Sequence, residues 1–165
     1  MRTLPYRTFL AAAVGLAFCA PAYADTMTRD QYNAEEKRIN EQYDAAKRAC
    51  DSRSGNAKDI CMAEAKGQQK VAKAELKARK DNTAEARYEA RVARADADYE
   101  VAKERCDDQA GNTKDVCMKD AKAAQTKAKA DAKVARASDE NTARGREKVA
   151  DARREATDDS PDAQY

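Results

Sequence analysis

A cysteine pair that occurs twice constrains the fold of this chain more than any other feature of its sequence. Residues 50–62 read CDSRSGNAKDICM, and residues 106–118 read CDDQAGNTKDVCM. A shift of 56 residues superposes the two segments, and 18 of the 36 positions from Tyr43 to Ala78 are identical to their counterparts. The chain therefore contains a duplicated structural unit, and one explanation must account for both cysteine pairs.

Each unit carries apolar residues at helical spacing on both sides of its Gly-Asn dipeptide. In the first unit they are Tyr32, Ile39, Tyr43, Ala46 and Cys50 before the dipeptide, and Ile60, Ala63, Gly67, Val71, Ala74 and Ala78 after it. Gly55 suits the left-handed conformation that ends a helix, and Asn56 suits the cap of the next one. The sequence predicts an all-α fold of two repeated antiparallel helical hairpins.

The hairpin geometry predicts disulfides within each unit. Cys50 and Cys61 lie symmetrically about the first turn, and Cys106 and Cys117 lie symmetrically about the second. Alanine at the facing positions lets the helices approach within the roughly 7 Å between Cα atoms that a disulfide requires. We therefore predict the links Cys50–Cys61 and Cys106–Cys117, each stabilising the folded chain by about 3 kcal/mol in the chain-entropy model.

A metal site is the main alternative for these cysteines. Met62 and Met118 follow a cysteine in each unit, and Cys-Met pairs could supply soft ligands for Cu(I) or, through four thiolates, a zinc site. The ten-residue spacing is longer than usual ligand spacing, and the chain has no histidine and no C-x-x-C motif. We therefore predict structural disulfides, with no metal, cofactor-binding or catalytic residues.

The charges are arranged in blocks. Residues 66–80 carry six bases and one acid, whereas residues 29–51 carry five bases and six acids. We expect these arms to pair within each hairpin, with Lys47 opposite Glu64 and Lys103 opposite Asp120. Binding of a lipid or polyanion to the basic arms is the alternative that the pattern leaves open.

The first 24 residues have the features of a cleaved secretory signal. Arg2 and Arg7 precede the apolar run FLAAAVGLAFCA, and Ala22-Tyr23-Ala24 is a small-x-small cleavage site. We expect a periplasmic or secreted chain that begins at Asp25 and keeps no transmembrane anchor. In the alternative, Cys19 would be the lipidated N-terminus, but the bulky Phe18 before it disfavours that signal.

Composition limits both the core and the function. Without residues 1–24 the chain has 30 bases and 30 acids, which argues against a general nucleic-acid binder. From Asp25 onwards it holds one leucine, Leu76, with two isoleucines, six valines and no phenylalanine, tryptophan or histidine. Such a chain forms helices more readily than a conventional core, and we expect no enzyme activity.

The unit boundaries follow from cap and break signals. We predict a signal peptide over 1–24, hairpin repeats over 25–80 and 81–137, a short C-terminal helix within 138–157, and a mobile acidic tail over 158–165. Thr28 and Gln31 predict a capping box, Asn82 and Glu85 predict a second cap, and Ser138–Asn141 predicts a break. We expect Tyr32, Tyr43, Tyr88 and Tyr99 to fill the helix seams over small residues.

The stretches AEAKGQQKVAKAELKARK and KDAKAAQTKAKADAKVAR resemble the Ala/Lys/Glu-rich helical middle region of the cell-envelope protein TolA, and the chain is similar to small exported proteins described as TolA-like. The resemblance covers the helical part of the chain and implies no specific residues. It implies a helical spacer or interaction module in the envelope with protein partners. The alternatives are a stress-related periplasmic holdase and a soft-metal buffer.

Overall fold

The computed structural model describes residues 27–158, which form four α-helices and no strand. Helix α1 spans Arg29–Cys50, α2 spans Gly55–Asp81, α3 spans Ala84–Cys106 and α4 spans Gly111–Asp158. The predicted signal peptide, including Cys19, and the tail after Asp158 lie outside the described residues. Within the described part, the chain is all-α as predicted.

The helix ends show which local signals decided the boundaries. The predicted capping box is confirmed, because the Gln31 N–H donates to Thr28 Oγ1 at 3.2 Å and the Thr28 N–H donates to Gln31 Oε1 at 2.8 Å. The cap predicted at Asn82 is wrong. Thr83 caps α3 by accepting from the Ala86 N–H at 3.0 Å, whereas Asn82 adopts a left-handed conformation that ends α2.

The two Gly-Asn turns are built differently from the prediction. Gly55 and Gly111 have the predicted positive φ angles, 54° and 55°, but each opens the following helix instead of ending the preceding one. Asn56 does not cap α2. Its side-chain amide donates at 2.7 Å to the Glu104 carbonyl oxygen in the last turn of α3, which also accepts from the Asp107 N–H at 3.2 Å.

Each helix packs mainly against its neighbours in the chain, and the most extensive interface joins α2 to α3. Contacts between α1 and α2 run in opposite order along the two helices, from Cys50–Cys61 through Asn40–Gln69 to Glu35–Arg79. These two helices are therefore antiparallel. The α3 and α4 helices show the same order, from Cys106–Cys117 through Asp96–Gln125 to Glu85–Arg136.

Small residues bring α2 and α3 into close contact. Gly67 of α2 is buried against Ala97 of α3, and a Cβ atom added to Gly67 would lie 3.0 Å from the Ala97 Cβ. Other alanines of α3, including Ala86 and Ala90, are buried as well. The interface is thus held by close backbone approach and small contacts instead of large side chains.

The core is small and contains few large residues. Leu76 and Cys50 are fully buried, Cys106 nearly so, and Ile39 is also buried. Most remaining buried positions are alanines, as the composition requires. Within the described residues no buried side-chain nitrogen or oxygen lacks a hydrogen-bond partner.

The predicted break at Ser138–Asn141 is wrong, because α4 continues through it to Asp158 as one helix of 48 residues. Two contacts explain the continuity. Asp139 binds Arg87 and Arg91 of α3. The Thr142 hydroxyl donates to the Ser138 carbonyl oxygen at 2.9 Å, so this side chain bonds to its own helix instead of capping a new one. The separate helix expected within 138–157 is therefore the end of α4.

Candidate interaction surface

The structure joins Cys50 to Cys61 and Cys106 to Cys117, the same pairs that the symmetry about the turns predicts. The Cα atoms of each pair lie 5.7 Å apart, within the usual range for a disulfide. Each bridge ties the last residue of one helix to the second turn of the next. The links therefore fix the height at which the paired helices meet.

The sulfur atoms are not arranged as a metal centre. In the disulfide form the cysteines provide no thiolates, and the described residues contain no group of three or more His, Cys, Asp or Glu side chains placed to hold a metal ion. Met62 and Met118 are half-buried on their helices.

Polar contacts that the sequence did not predict recur in both units. The Gln69 amide donates to Asn40 Oδ1 at 2.9 Å, and its counterpart Gln125 donates to Asp96 Oδ1 at 2.6 Å. Lysine and aspartate flank the two turns in the same way, in the pairs Lys58–Asp51 and Lys114–Asp107. Residue pairs 56 positions apart therefore perform equivalent roles, which the repeat alignment alone could have suggested.

The arms do pair within each hairpin, in Glu35–Arg79, Asp96–Lys129 and Glu85–Arg136, but the two specific pairs predicted at the seams are wrong. Glu64, expected opposite Lys47, binds Arg105 of α3 at 2.8 Å, and Lys103 binds Glu100 on its own helix at 3.3 Å. Further pairs join α2 to α3, namely Lys77–Glu89 and Glu75–Arg94. Charge therefore links the two units to each other as well as the helices within each unit.

The tyrosine rings are half-buried at the seams, and three of the four also accept a cation. Lys80 lies 4.6 Å from the centre of the Tyr32 ring, and Arg136 lies at the same distance from the equivalent Tyr88 ring. Lys122 lies 5.1 Å from the Tyr99 ring. These contacts pair a tyrosine of one helix with a base of the next and add to the seam packing.

The far end of the α3–α4 pair is fixed by Asp139. Its carboxylate binds Arg87 at 3.1 Å and Arg91 at 3.3 Å. The hydrogen bond from Arg87, together with that from Arg91, lowers the pKa of Asp139 below its usual value against the opposing effect of partial burial. Asp139 is the most C-terminal residue of α4 for which the structure shows an ion pair with α3.

An open groove lies on one side of α3, between α2 and α4, with a volume of about 1170 Å³. Its floor is apolar and includes Val71, Val101 and the buried Cys106. Its rim is charged: Glu64–Arg105 and Glu75–Arg94 are paired across α2 and α3, whereas Asp98 and Asp120 are exposed and form no ion pair within residues 27–158. The groove thus offers an apolar floor with net acidic edges.

In comparisons with known proteins, no family model, curated protein or solved structure matches this chain. Among the described helices, none has a stretch long and apolar enough to span a bilayer. The features of the described helices that bear on function are the disulfides, the charged surface and the groove.

Proposed function

We propose that this chain is a non-enzymatic exported protein that acts as a helical spacer and interaction module in the cell envelope. The groove between α2 and α4 carries the proposal, because it leaves apolar floor residues uncovered in a chain that has very few of them. A surface of this kind marks a binding site more often than it marks a defect of packing. The compositional resemblance to the TolA helical region supports the envelope setting.

The two disulfides support export. Such links persist in oxidising compartments and are rare in the cytosol, and these two supply stability that the alanine-rich core cannot. We infer that the repeated unit is an antiparallel hairpin closed by its disulfide, and that the two units form a stiff row whose length suits a spacer. The signal peptide over 1–24, with cleavage after Ala24, and protein partners in the envelope belong to the same proposal.

A deletion strain complemented with groove variants tests this role. Val101→Glu places a charge on the groove floor at a half-buried site, whereas Lys133→Glu changes an exposed residue of α4 outside the groove. We expect V101E to lose complementation of envelope integrity, measured as detergent resistance, while K133E retains it. Both proteins must show wild-type helical content by circular dichroism. Full complementation by a folded V101E protein would contradict the proposal.

The same groove favours a holdase as a second candidate function. An apolar channel with charged edges can accept exposed apolar segments of unfolding clients. The purified protein should then suppress aggregation of a thermally unfolding model client, as measured by light scattering, and V101E should suppress it less than K133E. Equal suppression of aggregation by the two variants would show that the groove is not the binding site for clients.

A further inference from the structure

One face of α4 has the sequence of an interface but is uncovered. On α2, the equivalent face contacts α3, where Gly67 is buried against Ala97 and Glu64 binds Arg105. The shift of 56 residues maps Ile60, Glu64, Gly67 and Ala78 of that face onto Val116, Asp120, Ala123 and Val134 of α4. All four α4 residues are exposed. The second unit therefore repeats the face without the helix that covers it in the first.

The exposed valines of α4 are placed for self-association. The large hydrophobic residues that are exposed within residues 27–158 are Val116, Val134 and Val149, with 48%, 72% and 51% of their surface accessible. Val116 and Val134 are about five full turns apart, so they lie on the same side of α4, and Val149 is about 60° away around the axis. We choose the register whose two-fold axis passes through the Ala132–Lys133 peptide, which is the midpoint between Val116 and Val149. An antiparallel second copy would therefore place Val149 against Val116 twice, as an isologous two-fold interface requires.

The end of α4 supplies the matching helix. Every residue from Asn141 to Asp151 is exposed, and the helix continues to Asp158, so that roughly 27 Å of it extends beyond the last contacts with α3. In the register set by the valines, residues 141–152 of one copy face residues 113–124 of the other, which are the α4 residues that line the groove.

The unpaired acids of the groove rim are opposite in sign to the bases of the projecting end, although each of the two segments also carries charges of the other sign, namely Lys114, Lys119 and Lys122 in one and Glu147 and Asp151 in the other. The groove rim carries Asp98 and Asp120, which form no ion pair within the described chain. The projecting end carries Arg144, Arg146 and Lys148 with a single acid, Glu147, among residues 144–148. The predicted register brings these bases next to Asp120. The contact would be an ion pair between an acid and a base of two helices, like the Glu64–Arg105 pair that joins α2 to α3.

We propose that two copies of this chain form an antiparallel dimer through α4, in which the projecting end of each α4 lies along the groove and the uncovered α4 face of the other copy. The interface buries Val116 and Val149 twice and pairs Asp120 of each copy with the basic end of the second copy. The proposal does not rest on the envelope role, but it competes with that role for the groove, because a groove filled by the second copy is closed to another partner until the dimer dissociates.

Zero-length carbodiimide coupling provides a direct test of the register. Asp120 and Lys148 are 28 residues apart on one continuous helix, a distance of about 42 Å, so they cannot be coupled within a copy. In the dimer they lie within reach of each other. Mass spectrometry of the oxidised wild-type protein should therefore recover an Asp120–Lys148 link in the covalent dimer band. Failure to recover any link between residues 113–124 and 141–152 would overturn the proposal.

Sedimentation equilibrium of matched variants tests the contribution of the valines. Val149→Gln should raise the dimer dissociation constant at least about ten-fold, because the two-fold interface loses the side chain twice. Ala143→Gln is the control, since Ala143 is exposed on the same segment but about 150° from the middle of the valine face. Asp120→Lys should weaken the dimer, and Asp120→Lys combined with Lys148→Glu should restore it. A wild-type protein that is monomeric across the concentration series, or equal effects of V149Q and A143Q, would overturn the proposal.

Discussion

The contact between Gly67 and Ala97 allows the α2–α3 interface to be tested by a single methyl group. An added Cβ at Gly67 would lie 3.0 Å from the Ala97 Cβ, closer than side-chain carbons normally pack. The Ala97 Cβ is attached directly to the backbone and has no rotamer to adopt. Gly67→Ala can therefore be accommodated only by moving two helices apart along their most extensive interface.

Two opposing terms set the size of the effect. Alanine is favoured over glycine inside a helix by about 1 kcal/mol. Overpacking of a close contact costs about 1–3 kcal/mol. The G67A variant should therefore lower the free energy of unfolding by up to about 2 kcal/mol in spite of its better helix propensity. With Ala97→Gly also present, the nearest remaining atom is the residue 97 Cα at 3.6 Å, an ordinary contact, and G67A should then stabilise the chain by about 1 kcal/mol.

Urea unfolding of the four proteins of this double-mutant cycle, followed by circular dichroism, measures the steric coupling. We expect a coupling energy of about 1–3 kcal/mol between positions 67 and 97. Gly145→Ala is the control for propensity alone at protein concentrations where the chain is monomeric, because within one copy nothing lies within 4 Å of a Cβ at that exposed position. It should increase helicity without lowering the unfolding midpoint. If G67A stabilises the chain equally in both backgrounds, α2 and α3 do not meet at Gly67.

Three further predictions concern the links between helices. Replacing Cys50 and Cys61, or Cys106 and Cys117, with serine should lower the free energy of unfolding by about 3 kcal/mol for each pair, and unchanged thermal unfolding of both variants would contradict a stabilising role. Asn56→Ala should cost about 1 kcal/mol through the lost bond to Glu104, whereas the equivalent exposed Asn112→Ala should cost almost nothing in the same urea experiment. Asp139→Asn should destabilise the chain at neutral pH. Because Arg87 and Arg91 lower the pKa of Asp139, its carboxylate stabilises the fold above the unfolded-state pKa of about 3.9. The stabilities of the two proteins should therefore become equal as the pH falls through the folded-state pKa.

The disulfide pairs were predictable because they depend on local symmetry. Cys50 and Cys61 lie on two helices joined by a short turn. Because the turn places these helices side by side, it also brings the two cysteines together. The capping box at Thr28 was predictable for the same reason, since both partners lie within one helical turn. Features that are decided within a few residues, or across one short turn, can be inferred from the sequence.

The contacts between the two units could not be predicted in the same way. The repeat defines each unit, but nothing in it states which side of α2 meets α3. Glu64 therefore binds Arg105 of the second unit instead of Lys47 of its own, and Glu75–Arg94 is a further contact between the units that the sequence did not predict. The break expected at Ser138–Asn141 failed for a related reason, since Asp139 is held by two arginines that are far away in the sequence.

Differences between the repeats carry the information that their similarity does not. Gly67 and Ala123 occupy equivalent positions, yet within one copy only Gly67 lies against another helix, and only there is the residue a glycine. At the equivalent positions Ala78 and Val134, the larger side chain is the more exposed one. A valine that is exposed at 72% on the uncovered face, with a second exposed valine, Val116, five turns away on the same side of the helix, is better explained by a partner helix than by solvent.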